Sequence, residues 1–223
     1  MIYSKWKFKD LDPYPIEYSG HGFRYQEPLA ECVEDMVNDA AAQIRQVLPQ
    51  GEGDFILFGH SMGGLIAWLT AQRLKSSALY VSACEPPGIL DAGRYRKYES
   101  EEALMSYIRD YKRLSAKRMK SNIFLDRLLP VIKNDYRLLS EYEYKEMGKL
   151  DVPVRIFCSR EDTLMRYEVM QRWEEYGSDV QFYELSGDHF YLEDDGVREN
   201  VSGLIEELEK QKDESFYHSS TMA

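Results

Sequence analysis

Ser61 stands in Gly59-His60-Ser61-Met62-Gly63, directly after an apolar run from Phe55 to Phe58 and directly before an apolar, helix-compatible stretch, Leu65 to Leu74. A serine on a sharp strand-to-helix turn has its hydroxyl lifted clear of the backbone, and a Cβ at either flanking glycine is expected to crowd that turn. A hydroxyl so placed is a candidate nucleophile. It needs a base to take its proton and a carboxylate to hold that base in the correct tautomer. Of the four histidines, His60 adjoins the serine and points elsewhere, His21 lies in an early loop, and His218 lies in the polar tail. His189 remains, in Ser186-Gly-Asp-His-Phe-Tyr-Leu192, just after the strand-like Val180–Leu185. The carboxylate should follow an earlier strand. Val154–Phe157 runs into Cys158-Ser-Arg-Glu-Asp162, where Glu161 and Asp162 compete. A short Asp in a tight turn is the commoner solution and favours Asp162, while Asp188 is better placed to shape the turn beside His189.

The elements that must position these residues alternate. Strands are expected at Pro15–Tyr18, Phe55–Phe58, Ala78–Val81, Val154–Phe157 and Val180–Leu185. Helices are expected over 28–48, Leu65–Leu74, Arg166–Tyr176 and Val197–Leu208, from apolar spacing of three and four. Alternation of this kind implies a mostly parallel sheet flanked by helices, with site residues gathered at the carboxyl ends of the strands. The order Ser61, Asp162, His189 along the chain is that of the α/β-hydrolase fold. The stretch from Cys84 to Leu150 interrupts the alternation with three helical patterns (100–114, 120–133 and 135–147), and residues 88–150 read as a helical lid inserted over the catalytic edge. Its apolar residues Leu104, Met105, Ile108, Leu114, Ile123, Phe124, Leu125, Leu128 and Leu129 are candidates either for an acyl pocket or for packing the lid onto the body.

A chain of 223 residues, 43% hydrophobic and 30% charged, suits one globular domain spanning 1–223, with a polar tail (212–223) expected to be disordered. No apolar run approaches the length of a membrane span, and the N-terminus lacks the pattern of a secretory signal. Cys32, Cys84 and Cys158 have no metal-ligand spacing; they read as buried thiols in a reducing cytoplasm, and neither metal nor cofactor is expected. A net charge of −11 argues against nucleic acid as a partner. The charge is uneven: residues 94–120 hold nine basic and four acidic groups, net +5, leaving −16 on the rest. That stretch is either a solvated face or a landing surface for an acidic partner.

Gly59-His-Ser-Met-Gly-Gly64, followed far downstream by Gly187-Asp-His-Phe-Tyr-Leu192, resembles the type II thioesterases, the discrete editing enzymes of non-ribosomal peptide and polyketide synthesis. The likeness runs through Ile16–Arg24, which resembles a loop of the Pro-Gly-Arg-x-x-Arg kind, through Val81–Pro87 leading into the lid, and through Ser159–Asp162 at the place of a Gly-x-x-Asp motif. The resemblance implies Ser61 as nucleophile, His189 as base, Asp162 as orienting acid and the Met62 N–H as an oxyanion donor. It further implies an acyl thioester on the phosphopantetheine arm of a carrier protein as substrate, docked on the basic 94–120 segment, and a monomer. One departure stands out. The family's opening apolar strand and Phe-Pro-x-Ala-Gly-Gly-like turn, which supplies the other oxyanion donor, has no match; Met1–Trp6 resembles the family's next segment. The expectation is either a start codon further upstream or a protein without that strand, and in the second case a weak or inactive hydrolase. A small-ester or lipid hydrolase with the same three residues, and a non-catalytic binding protein, are the alternatives.

Overall fold

The computed structural model describes residues 3–48, 54–111 and 119–220. Four strands, β1 (Ile56–His60), β2 (Ala78–Ser82), β3 (Leu150–Cys158) and β4 (Gly177–Glu184), lie in spatial order β1-β2-β3-β4, every pair parallel. β2 is buried along its whole length, as a strand covered on both faces must be. Helix α1 (Val33–Val47) turns Val33, Met36, Val37, Ala40, Ala41 and Ile44 inward at helical spacing, and packs on α2 (Met62–Ala71). α2 is apolar all round and buried from Gly64 to Ala71, the pattern of a helix enclosed between a sheet and a second helical layer. Trp68, Trp173, Tyr80 and Phe157 are the largest side chains fully enclosed in the core.

Between β2 and β3 the chain forms the inserted helical segment. It comprises α3 (Glu101–Tyr111), a π-helical turn at Phe124–Leu128, and α4 (Leu129–Glu141). The chain closes with α5 (Asp195–Ser220), which runs through 208 into the segment expected to fray; Tyr80 Oη donates to Glu209 Oε1 at 2.6 Å and ties it to the sheet.

Several expected elements differ. Pro15–Tyr18 forms no strand, because its neighbouring backbone donors go to side chains of α1: Glu17 N–H to Gln43 Oε1 and Ser19 N–H to Asp39 Oδ2. α1 begins at Val33 rather than Pro28, where the Asp35 carboxylate accepts the Cys32 N–H and closes the cap. The 135–147 pattern ends as helix at Glu141; beyond it Tyr144 leaves the helix to pack between Trp68 and Tyr176. The 166–176 pattern is one short α-turn, Tyr167–Met170, continued as a 3-10 turn to Glu175. The 100–114 and 120–133 patterns continue beyond or begin near residues 112–118, which lie outside the described residues. Cys84 and Cys158 are buried as expected, and burial pushes their thiols up to about 12 and about 11; Cys32 is exposed.

The early loop is tied to the inserted segment by His21. Its Nε2 lies 3.2 Å from Asp135 Oδ1 of α4, and its Nδ1 lies 3.0 Å from Ser19 O. Burial alone would depress the imidazole, but the Asp135 carboxylate, the Ser19 carbonyl and the nearby Glu17 charge outweigh it and raise its pKa above 6.5. A group raised on folding stabilises fully below its unfolded value and loses that contribution as pH rises through the folded value. The stability gap between wild type and His21→Gln should therefore be widest below the unfolded value of about 6.5 and close as pH rises through the higher folded value. Urea melts at pH 6 and pH 8.5 measure it, and a gap that ignores pH rules out an ionic tie.

Candidate active site

The turn between β1 and α2 is built around Ser61, whose φ of +54° is uncommon for a residue with a side chain. Gly59 permits the turn: a Cβ there would lie 2.1 Å from the Gly63 carbonyl oxygen. Gly63 itself, expected to be under the same constraint, is not, since its Cβ would meet only the Tyr3 hydroxyl at 3.7 Å. The third glycine carries the second constraint instead. A Cβ on Gly64 would lie 2.8 Å from that of Cys84 and 3.1 Å from Val81 Cγ1, so Gly64 sets how closely α2 approaches the end of β2.

Three distant residues meet at the carboxyl ends of the strands. His189 Nε2 is 3.0 Å from Ser61 Oγ, and His189 Nδ1 is 2.8 Å from Asp162 Oδ2. With the proton on Nδ1, the ring donates to Asp162 and accepts from the serine hydroxyl. Asp162 and His189 are both 6% exposed, which keeps competing water off the line. Asp162 Oδ1 accepts the N–H groups of Leu164 and Met165 at 2.8 and 2.9 Å. Burial would raise this carboxyl, yet the His189 hydrogen bond and charge, with the two backbone donors, hold it below the usual carboxylate range. The competitors take other work. Glu161 Oε1 accepts the Gly187 N–H, and Asp188 Oδ1 accepts the Phe190 N–H, so both shape the histidine turn. His60 bonds through Nδ1 to Ser82 Oγ at 2.9 Å, and its ring lies 5.2 Å from that of His189.

That bond belongs to a buried chain absent from the sequence reading. His60 Nδ1–H donates to Ser82 Oγ, Ser82 donates to Tyr191 Oη at 2.6 Å, and Tyr191 Oη–H donates to the Phe157 carbonyl. Burial raises the Tyr191 phenol, keeping it a donor. The Ser82 carbonyl also accepts the Ser61 N–H at 2.8 Å. One residue of β2 thus fixes both the Ser61 backbone and its neighbouring histidine.

With Asp162 standing behind the histidine, Ser61 and His189 line a cavity of about 480 Å³. Its far wall is the inner face of α4 (Ile132, Asp135, Tyr136 and Leu139) together with Tyr95, Tyr98 and Tyr107. The tyrosine rings pack edge to face and tilted: Tyr98 lies 4.6 Å from Tyr136 and 4.7 Å from Tyr107 between centroids. Burial raises the Tyr136 phenol, reinforced by Tyr107, and raises Tyr95 to about 12, so both stay neutral. Of the two roles open to the aliphatic residues of the inserted segment, packing is the one that the buried members take. Leu104, Ile108, Phe124 and Leu129 are buried in the core, and Ile123, Leu125 and Leu128 are exposed. Met105 is partly buried against the core, and Leu114 lies outside the described residues. Aliphatic spacing marked the faces of the inserted helices but could not say which face meets the cavity. Among the described residues no group of three or more metal-type ligands occurs.

A family model described as a thioesterase domain matches residues 2–211. The chain belongs to the thioesterase-domain family. The thioesterase is 26% identical over 200 residues to thioesterase TesA of Mycobacterium marinum (strain ATCC BAA-535 / M), covering 87% of this chain and 77% of that protein. It is similarly related to the human medium-chain S-acyl fatty acid synthase thioesterase, at 26% identity over 87% of this chain and 76% of the relative. Among solved structures it superposes on ClbQ from the colibactin NRPS/PKS pathway with a TM-score of 0.75 at 25% identity, covering 88% of this chain and 84% of the other. RedJ, the prodiginine-pathway thioesterase of Streptomyces coelicolor, gives a TM-score of 0.75 at 27% identity, covering 86% and 73%. The fold is that of the α/β-hydrolases, and the protein is a hydrolase of the thioesterase type. No helix among the described residues is long and apolar enough to cross a membrane.

Proposed function

We propose that this thioesterase clears acyl groups from the phosphopantetheine arms of carrier proteins in peptide or polyketide synthesis, through an acyl-Ser61 intermediate. One observation carries the reading: the Ser61–His189–Asp162 line ends at a serine that lines, with His189, a cavity large enough for an acyl group. His189 Nε2 takes the Ser61 proton as Oγ attacks the thioester carbonyl. The oxyanion rests on the Met62 N–H, which sits in the first turn of α2, where backbone donors have no partner within the helix. Collapse of the tetrahedral species expels the thiolate, which takes the proton from His189. Water then enters, His189 deprotonates it, and hydrolysis of the ester restores the serine and frees the acid. The names of the relatives from NRPS/PKS pathways support this substrate class.

The basic stretch is the proposed landing surface for an acidic carrier. Arg96, Lys97, Arg109 and Lys120 are exposed there. Lys112, Arg113, Lys117 and Arg118 lie outside the described residues. A monomer in the cytoplasm is part of the same proposal. A single assay series tests it. A fluorophosphonate should label Ser61, and acyl-carrier thioesters should be cleaved faster than short oxyesters of the same acyl group. Raised salt, or the triple variant R109E/K112E/R113E, should weaken cleavage of the carrier-bound substrate and leave a small thioester unaffected. Faster oxyester cleavage would instead favour a small-ester hydrolase, and absent labelling a binding protein.

A further inference from the structure

One ionic group beside the cavity is unused by the mechanism. Glu85 follows β2 by three residues, after Ala83, which turns the chain at a φ of +45°. Its side chain is completely buried. Arg94 Nη1 lies 3.0 Å and Arg166 Nε 3.2 Å from the same oxygen, Glu85 Oε1. Arg94 also donates through Nη2 to Tyr95 Oη at 2.8 Å. Both arginines line the cavity that holds Ser61 and His189, and Glu85 does not. One carboxylate therefore serves two guanidinium groups, and the other charged side chains lining the cavity are Lys97, Asp91 and Asp135. Arg94 is fixed by Glu85 and Tyr95, so it is preorganised. Arg166 is held by Nε alone, and no described group takes its two terminal nitrogens. A guanidinium edge left open in this way is a fork for carboxylate or phosphate oxygens.

We propose that Arg94 and Arg166 form an anion subsite of the cavity, which selects thioester substrates bearing an anionic oxygen group. The inference rests on the thioesterase reading of Ser61 and deepens it. Two groups on such a substrate have this chemistry: a carboxylate at the far end of the acyl chain, and the phosphodiester of the pantetheine arm. Size favours the first. A sphere of the cavity's volume is about 10 Å across. The arm, extended like a polypeptide, carries its phosphate about 15 Å from the thioester sulfur, beyond such a space. A dicarboxylic acyl group of a few carbons fits inside it.

The experiment uses thioesters of N-acetylcysteamine, which carry no phosphate. Dicarboxylic acyl groups of three to six carbons are compared with uncharged acyl groups of equal length, and acetyl-pantetheine with acetyl-4′-phosphopantetheine. The expected result is a kcat/KM about tenfold higher for at least one dicarboxylic acyl group than for its uncharged twin, carried in KM. Arg166→Gln should collapse that ratio toward one, and Arg166→Lys should restore part of it. A flat acyl series with an Arg166-dependent preference for the phosphorylated arm keeps the anion subsite and moves its source to the arm. Flat results in both series overturn the proposal. If no thioester is cleaved, the catalytic reading fails separately, and calorimetric titration with glutarate and with 4′-phosphopantetheine decides the subsite. Binding lost in Arg166→Gln supports it, and no binding of either overturns it.

Discussion

Asp162→Asn lowers turnover by about 10³–10⁴ while the protein stays folded. The reason lies in which oxygen of Asp162 is already committed. Oδ1 accepts two backbone N–H groups, from Leu164 and Met165, and these can be met only by an acceptor. In the variant the amide oxygen must therefore stay at that position, and the amide NH2 must face His189. An NH2 donor at 2.8 Å from Nδ1 requires that nitrogen to be unprotonated, which moves the ring proton to Nε2. Nε2 then donates toward Ser61 Oγ rather than accepting its proton, and the base is gone although nothing has moved. The check is kcat with a small thioester together with the circular-dichroism melt. Unchanged kcat in a folded variant removes Asp162 from the mechanism. The acid limb of stability should change too. A carboxyl depressed on folding stabilises above its unfolded value, about 3.9, and loses this as pH falls through the folded value. The asparagine variant has no such titration and should lack that part of the acid loss.

The second large effect separates two glycines of one motif. Gly59→Ala should cost about 3 kcal/mol or more, because the new methyl would sit 2.1 Å from a backbone oxygen that cannot swing aside. Any relaxation that admits it moves the turn, and a shift of about 1 Å in Ser61 costs about a hundredfold in rate. Gly63→Ala should do the reverse. Its Cβ reaches only ordinary contact with Tyr3, and Gly63 lies within α2, where alanine exceeds glycine in helix propensity by about 1 kcal/mol. Denaturant midpoints and kcat for the two variants read this directly. Equal loss in both would mean that the motif's glycines are constrained alike, as the sequence alone suggested.

Much of this site was legible before folding was considered. The apolar run into Ser61 and the apolar stretch after it announce a strand, a turn and a buried helix, because hydrophobic periodicity depends on local neighbours alone. His189 and Asp162 emerged because each closes a strand at the edge where parallel architectures collect their chemistry, and the structure brings both to Ser61. The failures have a common form. Pro15–Tyr18 has strand-like composition but pairs with no strand among the described residues, and the backbone donors of Glu17 and Ser19 turn to α1. The inserted helices show their amphipathic spacing, yet the cavity is lined by Tyr95, Tyr98, Tyr107 and Tyr136 with Ile132 and Leu139, and by none of the aliphatic residues that the spacing singled out.

What the primary structure determined was the type of chemistry: a hydroxyl on a strained turn, an imidazole and a carboxylate in a fixed order, each tied to its own local element. What only the tertiary structure decided was who stands beside whom across long gaps. Ser82 bracing Ser61, His60 and Tyr191, His21 reaching Asp135, and Glu85 shared by Arg94 and Arg166 are contacts between segments far apart in the chain. Such pairings leave no local pattern, because a buried polar group is satisfied by whatever partner packing delivers to it, and packing is set by the whole core at once.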